Sequence, residues 1–391
     1  MILQGDCRLV MQSMDPEQFH TCVTSPPYWG LRDYGIPPSY WPETTYTPMP
    51  GLLPVTVPEW TGCLGLEPTP EMFVGHMVLV FREVWRLLRK DGTLWMNFGD
   101  SYAGGSPRKD EGFNKRWHGK HYLTNKQGEI DRNRPDRVRL TTLKPKDLVG
   151  IPWRVSFALQ ADGWYLRMDN IWNKPNCMPE STRDRPTKAH EYIFLLSKNE
   201  RYYYDYEAIK EPLAASSIVR LSQDLDKQEG SRRANGRVKT NGNIKAVGGS
   251  KGAFGPPQSR NRGKGNAKTF RGGGKYTSGK SFDNSSVVDR ESHGNKPNES
   301  GLRNKRSVWT VATAQCTDAH FATFPEKLIE PCILAGAPVG GRVLDPFGGS
   351  GTTRKVALQN NRECTLIEMN PDYIKLSKQR TAVIQPYMDI L

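Results

Sequence analysis

The chain has 391 residues, 36% of them hydrophobic, and a formal net charge of +14 at pH 7; it is long enough for one large cored domain with an insertion. No apolar run suits a signal peptide or a membrane span, which predicts a cytoplasmic protein. Its seven cysteines include no Cys-x-x-Cys pair and no histidine at metal spacing, which argues against a disulfide framework and predicts no bound metal.

From the amino end, the first informative run is Ser25, Pro26, Pro27 and Tyr28. It reads either as a turn after a strand or as a grip on the amino group of an extruded nucleobase. That amine is a poor nucleophile because its lone pair is delocalised into the ring. A serine hydroxyl and a proline carbonyl can accept its hydrogens and localise the pair, Pro-Pro stiffens the backbone that fixes the carbonyl, and an aromatic ring can stack on a flipped base. Residues 36–68, rich in glycine and proline, read as a long loop beside the tetrapeptide, placed to act as a lid. Thr69 and Pro70 form a cap and first-position proline, and Phe73, Met77, Val80, Phe81, Val84, Leu87 and Leu88 recur at helical spacing until Asp91 and Gly92 stop them. A strand over 93–98 follows.

Residues 103–139 form a basic loop, 10 Lys/Arg against 5 Asp/Glu, with Trp117, His118, His121 and Tyr122 interleaved, a pattern that suits stacked bases and neutralised phosphates. Residues 151–159 read as a helix, 164–172 and 191–196 as strands. Residues 214–306 carry 20 Lys/Arg against 7 Asp/Glu, nearly all of the net charge, in a Gly-, Asn- and Ser-rich context. That concentration suits a polyanion, and the composition also fits a flexible basic linker. A helix over 325–334 is predicted despite Pro331. Within it Cys332 follows a proline, but Leu328, Ile329, Cys332 and Ile333 form an apolar stripe, the pattern of a core thiol.

Near the carboxyl end, Arg342 to Asp345 read as a short buried strand, followed by Pro346, Phe347, a turn containing Gly349 and Gly351, and a helix starting near Thr352. Glycines let the turn bend and a ligand approach its backbone, and a helix amino end favours polar or negative groups. The turn lacks the Gly-Lys-Ser/Thr of a phosphate loop, and Arg354 stands where a dinucleotide fingerprint wants glycine. A second strand, 364–368, ends in Glu368, a carboxylate suited to ribose hydroxyls. Asn370 and Pro371 cap a last helix through Arg380. This alternation predicts an α/β fold, helices on both faces of a mostly parallel, doubly wound sheet.

Together, the Ser25-Pro26-Pro27-Tyr28 tetrapeptide and the Asp345-Pro-Phe-Gly-Gly-Ser-Gly-Thr352 turn, in this order, resemble the DNA amino-methyltransferases that act on N4 of cytosine or N6 of adenine, in their beta-group motif order. The resemblance covers residues 1–209 and 307–391. It implies the S-adenosylmethionine-dependent methyltransferase fold, S-adenosylmethionine as cofactor, and double-stranded DNA as partner. It implies a catalytic domain in two parts, 1–209 and 307–391, around a target-recognition insertion at 210–306. It leaves open whether a restriction endonuclease is paired with the chain.

The resemblance also assigns roles. Ser25 and Pro26 hold the amine, Pro27 stiffens the loop and Tyr28 stacks on the flipped base. Asp345, Phe347, Gly349, Gly351 and Thr352 cradle the cofactor, with Glu368 on its ribose. Asp6, in the turn Gly5-Asp6-Cys7, and Thr323 and Phe324, in the segment before the cofactor strand, are further pocket members. In this family Ser-Pro-Pro-Tyr accompanies N4-cytosine activity more often, and Asp-Pro-Pro-Tyr N6-adenine activity. The expected reaction is therefore direct methyl transfer to cytosine N4, with adenine N6 as the alternative and an inactive DNA-binding relative as a more distant one.

Overall fold

A computed structural model describes residues 1–30, 35–103, 143–214, 218, 301–313, 324–382 and 384. The basic loop expected at 103–139, apart from Ala103, and most of the basic stretch 214–306 lie outside the described residues. The chain divides into two compact units, Met1–Ile209 with Lys305–Leu391, and Lys210–Asn304.

In the first unit the elements run β1 (Ile2–Gln4), α1 (Cys7–Gln12), β2 (Phe19–Thr24), β3 (Ser39–Trp41), β4 (Thr44–Tyr46), β5 (Val55–Val57), β6 (Trp60–Gly62), α2 (Pro70–Leu87), β7 (Leu88–Phe98), α3 (Ile151–Ala161), β8 (Tyr165–Asn173) and β9 (His190–Ser197). In the second unit, β10 (Glu211–Pro212) and β11 (Leu302–Arg303) pair antiparallel, with Arg303 Nε 3.0 Å from a Glu211 carboxylate oxygen. The first unit resumes with β12 (Val308–Thr310), α4 (Glu326–Gly336), β13 (Arg342–Asp345), α5 (Thr352–Gln359), β14 (Glu363–Glu368) and α6 (Pro371–Thr381).

The main sheet of the first unit has strand order β1-β14-β13-β2-β7-β9-β8-β12. Neighbouring pairs are parallel except where β9 runs antiparallel to both β7 and β8. Because successive side chains of a strand point to opposite faces, each strand feeds two cores. Cys22, Leu94, Met96, Phe194, Leu344 and Ile367 pack with α2 and α3 on one face. Val23, Trp95, Ile193, Leu195, Val343 and Leu366 pack with α4 and α5 on the other. This is the doubly wound α/β architecture expected from the sequence.

Local chemistry accounts for the element ends. The Thr69 hydroxyl accepts from Met72 N at 3.2 Å, and Pro70 occupies the first turn of α2. Asn370 caps α6 in the same way, accepting from Asp372 N at 2.9 Å. Asp91 and Gly92, expected to stop α2, do not: the helix ends earlier, at Leu87, and both residues lie inside β7, which starts at Leu88. Phe19 pairs with Leu88 and Thr21 with Thr93, so the intervening residues bulge out of the ladder. Helix α4 runs through Pro331, and Cys332 is fully buried beneath it; burial pushes its thiol pKa well up, so it stays a protonated core group.

One expectation is corrected. The stretch 36–68 is not a long loop: Ser39 to Trp41 pair with Trp60 to Gly62, and Thr44 to Tyr46 with Val55 to Val57, making an antiparallel arm. Trp41, Tyr46 and Val57 are buried, and Tyr46 donates its hydroxyl to Glu71 O on α2 at 3.0 Å. The β-branched and aromatic residues of these short runs outweigh the prolines between them. The arm is a docked wall, not a free lid. No described helix is long and apolar enough to cross a membrane.

Candidate active site

A cavity of 410 Å³ runs along the carboxyl edge of the parallel strands, where ligands of open α/β sheets bind. At one end it is lined by Asp6, Phe347, Gly349, Ser350, Thr352, Ile367, Glu368 and Tyr373, and at the other by Ser25, Pro26, Pro27, Tyr28, Asn97, Trp172, Lys174 and Glu191. The sheet order puts β13 directly beside β2. Two motifs more than 300 residues apart in sequence therefore meet at one edge.

The glycine turn is held by carboxylates. Asp345 Oδ1 accepts from the Thr24 hydroxyl at 2.6 Å and Phe347 N at 3.1 Å, and Oδ2 from the Thr353 hydroxyl at 2.6 Å. Its carboxylate is thus occupied within the protein and organises the turn, tying the end of β2 to the start of α5. Burial, only partly opposed by these three donors, raises its pKa from 3.8 to about 6. Glu368 accepts from Gly349 N at 2.8 Å and Asn370 N at 2.7 Å, and burial raises its pKa as well. At Gly349, φ +47, a Cβ would meet only Phe347 O, at 3.9 Å, whereas Gly351, at φ +84, abuts Ser377 of α6. Thr352 is buried, its hydroxyl accepting from Arg380 at 3.2 Å.

Asp6 caps α1 and is held by Arg8 through Nη2 to Oδ2 at 2.7 Å and the backbone N to Oδ1 at 2.9 Å. Burial works to raise its pKa, and the Arg8 hydrogen bonds and charge outweigh that and lower it. The Arg8 guanidinium in turn lies 3.6 Å from the centroid of Trp41, itself a cavity wall. Phe324 lines the cavity; Thr323 lies outside the described residues.

At the tetrapeptide end, Tyr28 is fixed at both ends of its side chain. Its hydroxyl donates to Glu191 Oε2 at 2.8 Å and approaches Asn97 Oδ1 at 3.1 Å, while its ring packs on Phe98 at 5.9 Å between centroids. Gly99 permits this, since a Cβ there would lie 2.6 Å from the ring. The Ser25 hydroxyl is 3.5 Å from Asn97 Oδ1, too long for a strong bond, and so is available to a ligand. The tetrapeptide backbone is propped from outside: Trp29 Nε1 donates to Glu67 O at 2.9 Å and Gly30 N to Gly65 O at 2.7 Å. Glu67 in turn meets His76 Nδ1 at 2.9 Å, with both side chains fully buried.

The structure thus brings Ser25 to Tyr28 together with Asp6, Phe324, Asp345, Phe347, Gly349, Thr352 and Glu368 around one cavity. Gly351 shapes the turn from behind. Sequence reasoning missed Thr24, Thr353, Asn97, Lys174 and Glu191. Asn97 and Lys174 had a signal, since both stand at carboxyl ends of predicted strands. Glu191 had none: it starts a strand, and reaches this edge because β9 is reversed.

Comparison with known proteins agrees with this geometry. A sequence model of the N6/N4 methyltransferase family, described as DNA methylase, matches residues 19–379. The chain is 37% identical to the Type II methyltransferase M.SmaI of Serratia marcescens, over 97% of this chain and 89% of that protein. It is 35% identical to M.Cfr9I of Citrobacter freundii, over 97% and 86%. The solved structure of the PvuII DNA methyltransferase, cytosine-N4-specific, aligns with a TM-score of 0.51 at 15% identity, covering 99% of this chain and 87% of that one; the likeness is one of fold.

Proposed function

Because the chain belongs to the N6/N4 DNA methylase family, whose members take their methyl group from S-adenosylmethionine, we propose that it methylates the exocyclic N4 of cytosine flipped out of duplex DNA. The observation that carries the choice of base is Ser25. The first tetrapeptide position presents a neutral hydroxyl at the cavity, the form that in this family accompanies N4-cytosine activity more often than the carboxylate of the adenine enzymes.

The residues fit the cofactor. Gly349, without a side chain, lets a ligand reach the turn from the cavity, Phe347, Ile367 and Tyr373 offer apolar surface to a purine, and Glu368 and Asp6 offer acceptors to hydroxyls. When bound, the cofactor supplies an electrophilic methyl on a sulfonium. Ser25 Oγ and the Pro26 carbonyl accept the hydrogens of the amine and turn its lone pair toward the cofactor end. Tyr28, pinned through its hydroxyl, gives the base a fixed platform. Transfer to the amine would form one N–C bond, break one C–S bond of the donor and release one proton to solvent, so no covalent link to the protein is required. Asp345 acts through the turn, keeping the Thr24 and Thr353 elements in register.

The basic stretch 210–306 serves as the target-recognition region, its charge drawing in the phosphate backbone. The Type II designation of the relatives supports a restriction-modification setting for this chain, in which its partner would be an endonuclease of the same site. Mass spectrometry of nucleosides from duplex DNA treated with enzyme and S-adenosylmethionine tests the base: N4-methylcytosine is expected. N6-methyladenine alone would overturn the choice of base, and no modified base at all would favour an inactive DNA-binding relative.

A further inference from the structure

The tetrapeptide end of the cavity is closed by a polar row that holds more charge than pinning Tyr28 requires. Glu191 carries the Lys174 ammonium on Oε1 and, on Oε2, accepts from the Tyr28 hydroxyl at 2.8 Å and Asn97 Nδ2 at 3.3 Å. The same ammonium lies 4.2 Å from the centroid of Trp172. The side chains of Lys174 and Glu191 are only 17% and 15% exposed. An ion pair so far withdrawn from water is a weak source of stability, because desolvation offsets most of the attraction. Its position on the cavity wall indicates a ligand.

Resting on the N4-cytosine reading above, we propose that Lys174 is a specificity-determining residue whose ammonium donates to the acceptor edge, N3 and O2, of the flipped cytosine while Ser25 and Pro26 hold its amine. An ammonium has three N–H donors. One is committed to Glu191 and the face of Trp172 takes part of the remaining charge, which leaves donor capacity directed at the cavity. Cytosine seated by its amine brings two ring acceptors to this side. Adenine seated by its own amine brings N1 and then a C–H where cytosine has O2. A site built to donate rejects a base that leaves the donor unpaired. Glu191 tempers the cation: the pair is neutral overall, so the donor orients the ring without drawing the amine lone pair into it as a lone cation would. Through Tyr28 the same carboxylate also fixes the platform, so stacking surface and edge donor share one anchor.

The test compares wild type and Lys174→Met on a duplex carrying the recognition site, first mapped by sequencing modified bases in DNA from an expressing host, with cytosine, 3-deazacytosine or 2-thiocytosine at the target. The first analogue lacks the N3 acceptor and the second weakens the O2 acceptor. Wild type is expected to lose about 10- to 100-fold in kcat/KM on at least one analogue, the range of a hydrogen bond to a charged donor. Lys174→Met is expected to lose a similar factor on cytosine and nothing further on that analogue, since the shared contact is already gone. Analogue penalties equal in the two enzymes overturn the proposal. Calorimetric binding of S-adenosylmethionine, expected to be unchanged, reports whether the variant folds; Lys174→Gln, which keeps a neutral donor, takes its place if it does not. A wild-type product of N6-methyladenine would sink the N4 reading itself, whereas N4-methylcytosine with unchanged penalties would sink the Lys174 assignment alone.

Discussion

Replacing Gly351 by alanine should loosen the cofactor turn by an amount the structure allows one to work out. Gly351 has φ +84, where an L side chain costs roughly 1–2 kcal/mol. A Cβ built there lies 2.2 Å from Ser377 Oγ, 2.8 Å from Ser377 Cβ and 3.1 Å from Ser377 Cα. Rotating the hydroxyl away relieves only the first contact, so α6 or the turn must shift, at an overpacking cost of about 1–3 kcal/mol. The sum, about 2–5 kcal/mol, is a large share of the ~5–15 kcal/mol that holds a domain folded. Gly351 N donates to Gly348 O at 2.9 Å, so a shift there also moves Gly349, which donates to Glu368. Urea unfolding followed by tryptophan fluorescence gives the stability loss, and calorimetry gives cofactor affinity, expected to fall at least about tenfold, or ~1.4 kcal/mol. Ser377→Gly separates the two contributions. Alone it costs ~1 kcal/mol as a glycine inside a helix. Combined with Gly351→Ala it removes two of the three close contacts, so the double variant should be about 1–3 kcal/mol more stable than the sum of the singles. Strictly additive losses, or a Gly351→Ala variant within about 0.5 kcal/mol of wild type, would refute the steric reasoning.

Ser25→Ala is expected to lower kcat about 10- to 100-fold with cofactor affinity and unfolding midpoint unchanged, because its hydroxyl makes no strong bond in the protein; an unaltered single-turnover rate would remove Ser25 from the grip. Asp345 has a pKa raised from 3.8 to about 6, so the folded state binds its proton more tightly than the unfolded chain. The stability this contributes is full below the unfolded value and is lost as pH rises through about 6, roughly 3 kcal/mol across the window. Asp345→Asn should flatten the corresponding fall in urea midpoint between pH 4 and 7, leaving the slope from the other buried carboxylates, Glu67 and Glu368, and an unchanged slope would contradict the assignment. Deleting 214–306 should abolish methylation of site-bearing DNA while calorimetry still detects S-adenosylmethionine; full activity on specific DNA would place recognition elsewhere, with the 103–139 loop next in line.

Elements with local signatures were legible before any coordinates. Thr69-Pro70 and Asn370-Pro371 announce their helices because capping is a contact among neighbours in sequence. The arm of β3 to β6 was hidden because its strands are three residues long and lie among prolines; what holds them is burial of Trp41, Tyr46 and Val57 against α2, a long-range effect. The bulge in β7 was hidden for a related reason, since register belongs to a pair of strands and neither alone reveals it.

By itself the sequence determined the chemistry available to this protein: a hydroxyl, a carbonyl and an aromatic ring in one stiff tetrapeptide, a glycine turn bracketed by acids, and a basic stretch for a polyanion. These are short-range facts, set by covalent order. Only the tertiary structure decided which groups meet. Placing β13 beside β2 joins the turn to the tetrapeptide through Asp345 and Thr24, and reversing β9 carries Glu191, with Lys174, to the same edge. Strand order and direction are fixed by packing over the whole sheet, so the polar row on the cavity wall cannot be found from any one segment of the chain.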